Sequence, residues 1–142
     1  MTFMPWSSDL MLGIPLIDAQ HRVLVELINA LHDALQPPQA ERSHIASILE
    51  GLVDYTHNHF IVEEVQFHQH GYPQTAAHLQ EHAQFTAQAM DWLMRFEDGE
   101  DVDLQTLEFL KNWLLHHICE EDRAYVPFMR AALAKDAAAQ PA

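Results

Sequence analysis

One cysteine, four glycines and seven Lys plus Arg are the scarcities of this 142-residue chain. A lone thiol, Cys119, forms no intramolecular disulfide, which excludes a disulfide scaffold and points to a reducing, cytoplasmic compartment. Seven cations stand against 21 Asp plus Glu, a formal charge of -14 with histidines neutral. Such a surface repels a phosphate backbone, so nucleic acid is not an expected partner. No apolar run approaches the ~20 residues of a membrane span. No Lys or Arg precedes Arg22, and Asp9 lies where a signal peptide would carry its basic leader, so neither membrane nor export is expected. Strand signals are missing as well. The abundance is histidine: 11 residues, more than Lys and Arg together.

About half of the residues are apolar, enough for the core of one domain. Residues 1–17 hold Pro5, Trp6, Gly13 and Pro15 and read as an extended arm. From there apolar residues recur at alternating steps of four and three, the mark of amphipathic helices. The first stripe is Ile17, His21, Leu24, Ile28, Leu31 and Leu35, ended by Pro37-Pro38. The second runs from about Glu41 to His70 with Ile45, Ile48, Leu52, Tyr55, His59 and Glu63 inward. Gly71 then supplies a left-handed cap, and Pro73 forbids continuation. A third helix begins near Thr75 with His78, His82, Phe85, Ala89, Trp92 and Phe96. A fourth, capped by Asp101 or Asp103, carries Leu107, Leu110, Leu114, His117 and Glu121. A shorter helical stretch through Phe128 to Leu133 is expected despite Pro127.

Short links between helices of this length predict an all-α, up-down-up-down four-helix bundle over residues 18–134, with a short C-terminal helical extension and a flexible tail at 135–142. In that topology the starts of odd helices and the ends of even helices share one end. His21, His59, Glu63, His78, His82 and His117 therefore converge on one level. Burying several imidazoles with a carboxylate costs several kcal/mol unless each finds a partner, and a cation is the partner that satisfies them together. A single inward histidine is usually a hydrogen-bonded core residue; five at one level are not explained that way. Nitrogen donors with carboxylates suit iron, zinc, copper or manganese, and spacing does not choose among them. On the fourth helix, periodicity favours Glu121, four after His117. Asp122, five after it, is rotated by about 140° on an α-helix, yet it shares a face with Leu114 and Ile118 and stays open as a bridge between two ions.

The pieces Ile17-Asp18-Ala19-Gln20-His21, His59-Phe60-Ile61-Val62-Glu63-Glu64, Gly71-Tyr72-Pro73 with His78 and His82, and Trp113 with His117-Ile118, Asp122 and Tyr125 resemble the hemerythrin family in its single-domain bacterial form. The likeness spans Trp6 to Tyr125. It implies two non-haem iron ions joined by an oxo or hydroxo oxygen. His78, His82 and His117 would hold one ion, His21 and His59 the other, and Glu63 and Asp122 both. One position stays open, on the iron with two histidines, for reversible O2 binding. Leu24, Phe60, Trp113, Leu114 and Ile118 would wall the O2 pocket and keep out water. The implied protein is a carrier, store, scavenger or sensor rather than an enzyme, with O2, or nitric oxide at the same position, as ligand; a protein acceptor or sensor partner is unknown.

Two rivals are weaker. His78-Leu79-Gln80-Glu81-His82 fits the inverted zinc-protease pattern, with Glu81 as base, but leaves the other inward ligands unexplained. A ferritin-like di-iron oxidase or iron-handling bundle wants two E-x-x-H motifs, and only Glu41-Arg42-Ser43-His44 matches, far from the convergence level. His32 sits about 16 Å from His21 along the first helix, out of reach of the site. His44, His57, His68, His70 and His116 read as surface or peripheral residues, and Asp18 as a cap of the first helix.

Overall fold

The computed structural model describes residues 2–139. Four long helices form the bundle: α1 (Pro15–Leu35), α2 (Arg42–His70), α3 (Thr75–Glu97) and α4 (Leu104–His116). The chain then makes a π-helical turn, His117–Asp122, and continues as α5 (Arg123–Ala139). No strand occurs among the described residues. α1 packs on α2 and α4, and α2 packs on α3. Aromatic pairs Phe85–Trp113 and Trp92–Phe109 join α3 to α4.

The buried row of α2 is Ile45, Leu49, Leu52, Thr56, His59 and Glu63, the four-three rhythm of a face turned inward. Ile48 and Tyr55, expected inward, lie half-buried at the edge of that row. Leu24, Ile28, Leu31, Leu49, Leu107 and Leu110 complete the apolar middle of the bundle. Each contributes about 1.5–3 kcal/mol by leaving water. Gly71 closes α2 at φ 69, and its N–H and that of Tyr72 both donate to the Phe67 carbonyl. Asp103 caps α4, its Oδ1 accepting from the Thr106 N–H at 2.9 Å, so of the two expected caps it is Asp103 that serves.

Three boundaries differ from expectation. Helix α1 starts at Pro15 rather than 18, because proline is pre-set for the first helical position. Its arm is not wholly extended: Ser8–Leu10 form a 3-10 turn, and Met4, Leu10, Leu12 and Ile14 are core residues. α5 runs through Ala139, past residue 134, since the alanines after Lys135 are strong helix formers; residues 140–142 lie outside the described residues.

Asp18 does not cap α1. Its carboxylate instead accepts from the N–H groups of Leu12 (2.7 Å) and Gly13 (3.0 Å), tying the arm down. Gly13 adopts φ 81, and a Cβ there would sit 2.0 Å from the Arg130 guanidinium, which donates to the Leu12 carbonyl. Trp6 is half-buried under the Arg22 guanidinium. Arm, α1 and α5 are thus bolted together beside the histidine-rich end.

Candidate metal centre

His21 comes from the first turns of α1, His78 and His82 from those of α3, and His59 and Glu63 from the last third of α2. His117 and Asp122 open and close the π turn. All seven are buried. In an α-helix a residue five positions on faces away; in a π-helix the backbone bond itself spans five, so His117 and Asp122 stack on one face. The Asp122 Oδ1 lies 3.0 Å from both His78 Nε2 and His117 Nε2, and its Oδ2 lies 2.9 Å from His21 Nε2. Glu121, which α-helical periodicity favours, is half-exposed on the outer side.

Glu63 Oε1 is 3.2 Å from His82 Nε2, 3.4 Å from His59 Nε2, 3.8 Å from His78 Nε2 and 3.9 Å from His117 Nε2. The donors fall into two overlapping groups, each with its ligand atoms within 4.8 Å: Glu63, His78, His82, His117 and Asp122; and His21, His59, Glu63 and Asp122. Glu63 and Asp122 belong to both. Despite this crowding, His21 Nε2, His59 Nε2, His78 Nε2, Glu63 Oε1 and both Asp122 oxygens make no hydrogen bond among the described residues. Unpartnered buried donors and acceptors aimed at common points are what cations would satisfy, so the residues fit a metal centre.

The electrostatics agree. Burial pushes the Glu63 and Asp122 carboxyls upward, but the facing imidazoles outweigh it and hold both well below the usual carboxylate range. Burial likewise opposes charge on His78 and His117, and the carboxylates overcome it, raising His78 to about 9 and His117 well above its ordinary value. His59, for which burial prevails, is lowered to about 4. Without a cation, the cluster therefore favours ionised Glu63 and Asp122 and protonated His78 and His117.

Outer contacts aim the rings. The His59 Nδ1 donates to Gln20 Oε1 at 2.6 Å, and His117 Nδ1 donates to Glu81 Oε1 at 2.9 Å, each leaving Nε2 pointed inward. Tyr125 Oη donates to Glu63 Oε2 at 2.5 Å. Sequence reasoning assigned no aiming role to Gln20 or Glu81. Gln20 precedes His21 and Glu81 precedes His82, but each holds a ring on another helix, which sequence adjacency does not mark. Glu81 grips the outer nitrogen of His117, away from the convergence point, so it is not placed as the base of a zinc protease. His44 of the E-x-x-H match is exposed at the start of α2. His32 is half-buried and stacks on Phe3 at 4.4 Å, and His70 faces Asp136 of α5 at 3.3 Å.

Against the cluster lies an apolar cavity of about 10 Å³, the scale of a single water. Leu24, Ile28, Leu52, Thr56, Phe60, Phe85, Trp113 and Leu114 line it, together with the rings of His59 and His117. Thr56 spends its hydroxyl on the Leu52 carbonyl at 2.6 Å. Phe60 stacks on His82 at 3.7 Å and Trp113 on His117 at 4.6 Å. Four of the five expected pocket residues are in this wall. Ile118 is fully buried but does not line it.

Fold and site together define a helical-bundle protein with a buried histidine and carboxylate cation centre. The chain matches the family model "Hemerythrin HHE cation binding domain" over residues 12–129. It belongs to the hemerythrin family. A bacteriohemerythrin of Pseudomonas paraeruginosa is 39% identical over 135 residues, covering 95% of this chain and 87% of the relative. One of Methylococcus capsulatus is 32% identical, covering 92% and 100%. The crystal structure of a wild-type hemerythrin superposes with a TM-score of 0.82 at 31% identity, covering 88% of this chain and 96% of that one. The cluster is accordingly a non-haem iron site. No helix among the described residues is long and apolar enough to cross a membrane.

Proposed function

We propose that this chain binds dioxygen reversibly at a non-haem di-iron centre, as an oxygen carrier, store, scavenger or sensor and not as an enzyme, in the cytoplasm. The observation that carries the reading is the pair of overlapping donor groups sharing Glu63 and Asp122, set against a small apolar cavity walled by the His59 and His117 rings. His78, His82 and His117 would hold one iron and His21 and His59 the other, with Glu63 and Asp122, which belong to both donor groups, serving each. When bound, such a pair would supply a reducible centre able to take a diatomic ligand.

The chain's own residues do the rest. Phe60, Trp113, Leu114 and Leu24 exclude water and anions, which would otherwise compete with a neutral diatomic. Gln20 and Glu81 hold the Nδ1 protons of His59 and His117, fixing the tautomer that turns Nε2 inward. Tyr125 neutralises part of the Glu63 charge from outside the cluster. Histidines outnumber acids among the donors, which favours the lower-valent, reversible chemistry of a binder over the oxidations of carboxylate-rich bundles.

The test is metal analysis with visible spectra, taken after anaerobic reduction, after air and again under argon. Two irons per chain and a visible band that comes with air and leaves under argon are expected. Zinc, a single iron, or an irreversible change on exposure to air would overturn the reading. Nitric oxide added to the reduced protein occupies the same position and should block the air-dependent band.

A further inference from the structure

The π turn has a second side. His116 and Glu121 are five residues apart, like His117 and Asp122, and the widened turn brings them together on the outer surface as it brings the other pair together inside. His116 Nε2 faces Glu121 Oε1 at 3.8 Å, and His116 Nδ1 faces Glu120 at 3.1 Å. Glu81 approaches from α3, and one ligand atom from each of Glu81, His116 and Glu121 lies within 4.8 Å of the others. Glu81 also accepts from the His117 Nδ1 through its Oε1 at 2.9 Å. The groove beside them, lined by Ala77, Gln80, Glu81, Gln84, Trp113 and His116, is open to water.

We propose that Glu81, His116 and Glu121 form an outer site for a divalent cation of the zinc or ferrous class. One imidazole and two carboxylates are the donor set such borderline ions take, with water completing the shell, and calcium or magnesium would make no use of the imidazole. The site is distinct from the buried centre, because its imidazole and one of its acids point outward from the π turn. It nevertheless shares a wall with that centre: Glu81 serves the outer cation and also steadies the His117 ring.

The experiment uses the iron-loaded protein. Equilibrium dialysis against zinc, with iron and zinc counted by elemental analysis, is run on the unaltered chain and on His116→Ala and Glu121→Gln. Both side chains are at the surface and pair with each other or with Glu120 rather than with the buried ligands. One zinc per chain is expected with the iron content unchanged, held at least about tenfold more weakly in each variant. Two variants guard against a folding defect in either, and helical circular dichroism confirms that each is folded. Zinc gained only as iron is lost would mean exchange at the buried cluster and overturns the proposal. So does zinc binding undiminished in His116→Ala, which would place the ion on other surface histidines, or no zinc bound at all.

Discussion

The two ends of the bundle hold their charges in opposite ways. At the far end Arg42 lies over the Phe96 ring at 3.9 Å and donates to Asp101 at 2.9 Å, to the Glu100 carbonyl at 2.6 Å and to the Phe96 carbonyl. Asp103 caps α4 a few residues on. Every one of these charges has a protein partner and reaches solvent. At the near end, five imidazoles and two carboxylates are buried with several ring nitrogens and oxygens unpartnered. The far end is complete as folded protein; the near end is complete only with cations. The stability of the two ends must therefore respond differently to the same treatment.

Iron removal is the largest break. An ion that binds the folded chain alone stabilises it in proportion to the logarithm of its affinity, so stripping it costs several kcal/mol, or about 10 °C or more in Tm for a domain of this size. Amide exchange should rise around His21, His59, His78 and His117 and stay slow around Leu31, Leu49 and Leu107. Uniform loss of protection along the bundle would show that the two ends are not separable.

Acidity gives the second contrast, and its sign differs by group. In the metal-free protein, His78 is raised to about 9, so its contribution is full below about 6.5 and is lost as pH climbs through 9; His117, raised well above its ordinary value by the facing carboxylates, acts in the same direction. Glu63 and Asp122 are depressed, so theirs is present above about 4 and is lost as pH falls well below it. His59, lowered to about 4, works against acid, since it costs stability from about pH 6.5 downward. Metal-free protein should thus melt earlier at pH 9.5 than at pH 7. The iron-loaded protein should reverse this trend or flatten it, because deprotonated histidine is the better ligand. Parallel melting curves for the two forms would refute the role of the cluster.

Much of this was legible from residue spacing. The four-three rhythm located four helices, Gly71 and Pro73 marked the turn after α2, and bundle topology alone brought His21, His59, His78, His82 and His117 to one level. Two things were not legible. Helical periodicity assumes an α-helix throughout, and the π turn at His117–Asp122 violates it, which is why the spacing favoured Glu121 and only the family likeness favoured Asp122. The outer contacts of Gln20 and Glu81 depend on ring orientation, which no one-dimensional pattern carries. The same blindness applied to Asp18, whose carboxylate folds back on the arm instead of capping the helix it sits in.

Those outer contacts supply the next contrast. Gln20→Ala or Glu81→Ala frees an imidazole that must stay aimed, and metal affinity should fall by about 10- to 100-fold. Glu81→Gln keeps the accepting oxygen and should fall less. Arg42→Ala at the far end should do the reverse: about 1–2 kcal/mol of stability lost through its ring and hydrogen-bond partners, with iron content unchanged. Competitive chelator titration beside thermal melts separates the two. A loss of iron in Arg42→Ala would break the division between the ends.

The smallest expected effect comes from what looks like the harshest change. Deleting Glu120 removes one residue from the π turn, leaving four steps between the positions of His117 and Asp122. A regular α-helix then stacks the two on one face, as the wider turn does now. The surface pair of His116 with Glu120 is lost, an exposed contact worth about 0–1 kcal/mol. Affinity for iron should therefore stay within about tenfold of the parent, since ligand identity and facing are kept. Replacing Asp122 by Ala removes a carboxylate common to both donor groups and should release iron altogether. If the deletion also releases iron, the π geometry itself, and not merely the facing of Asp122, is what the centre requires.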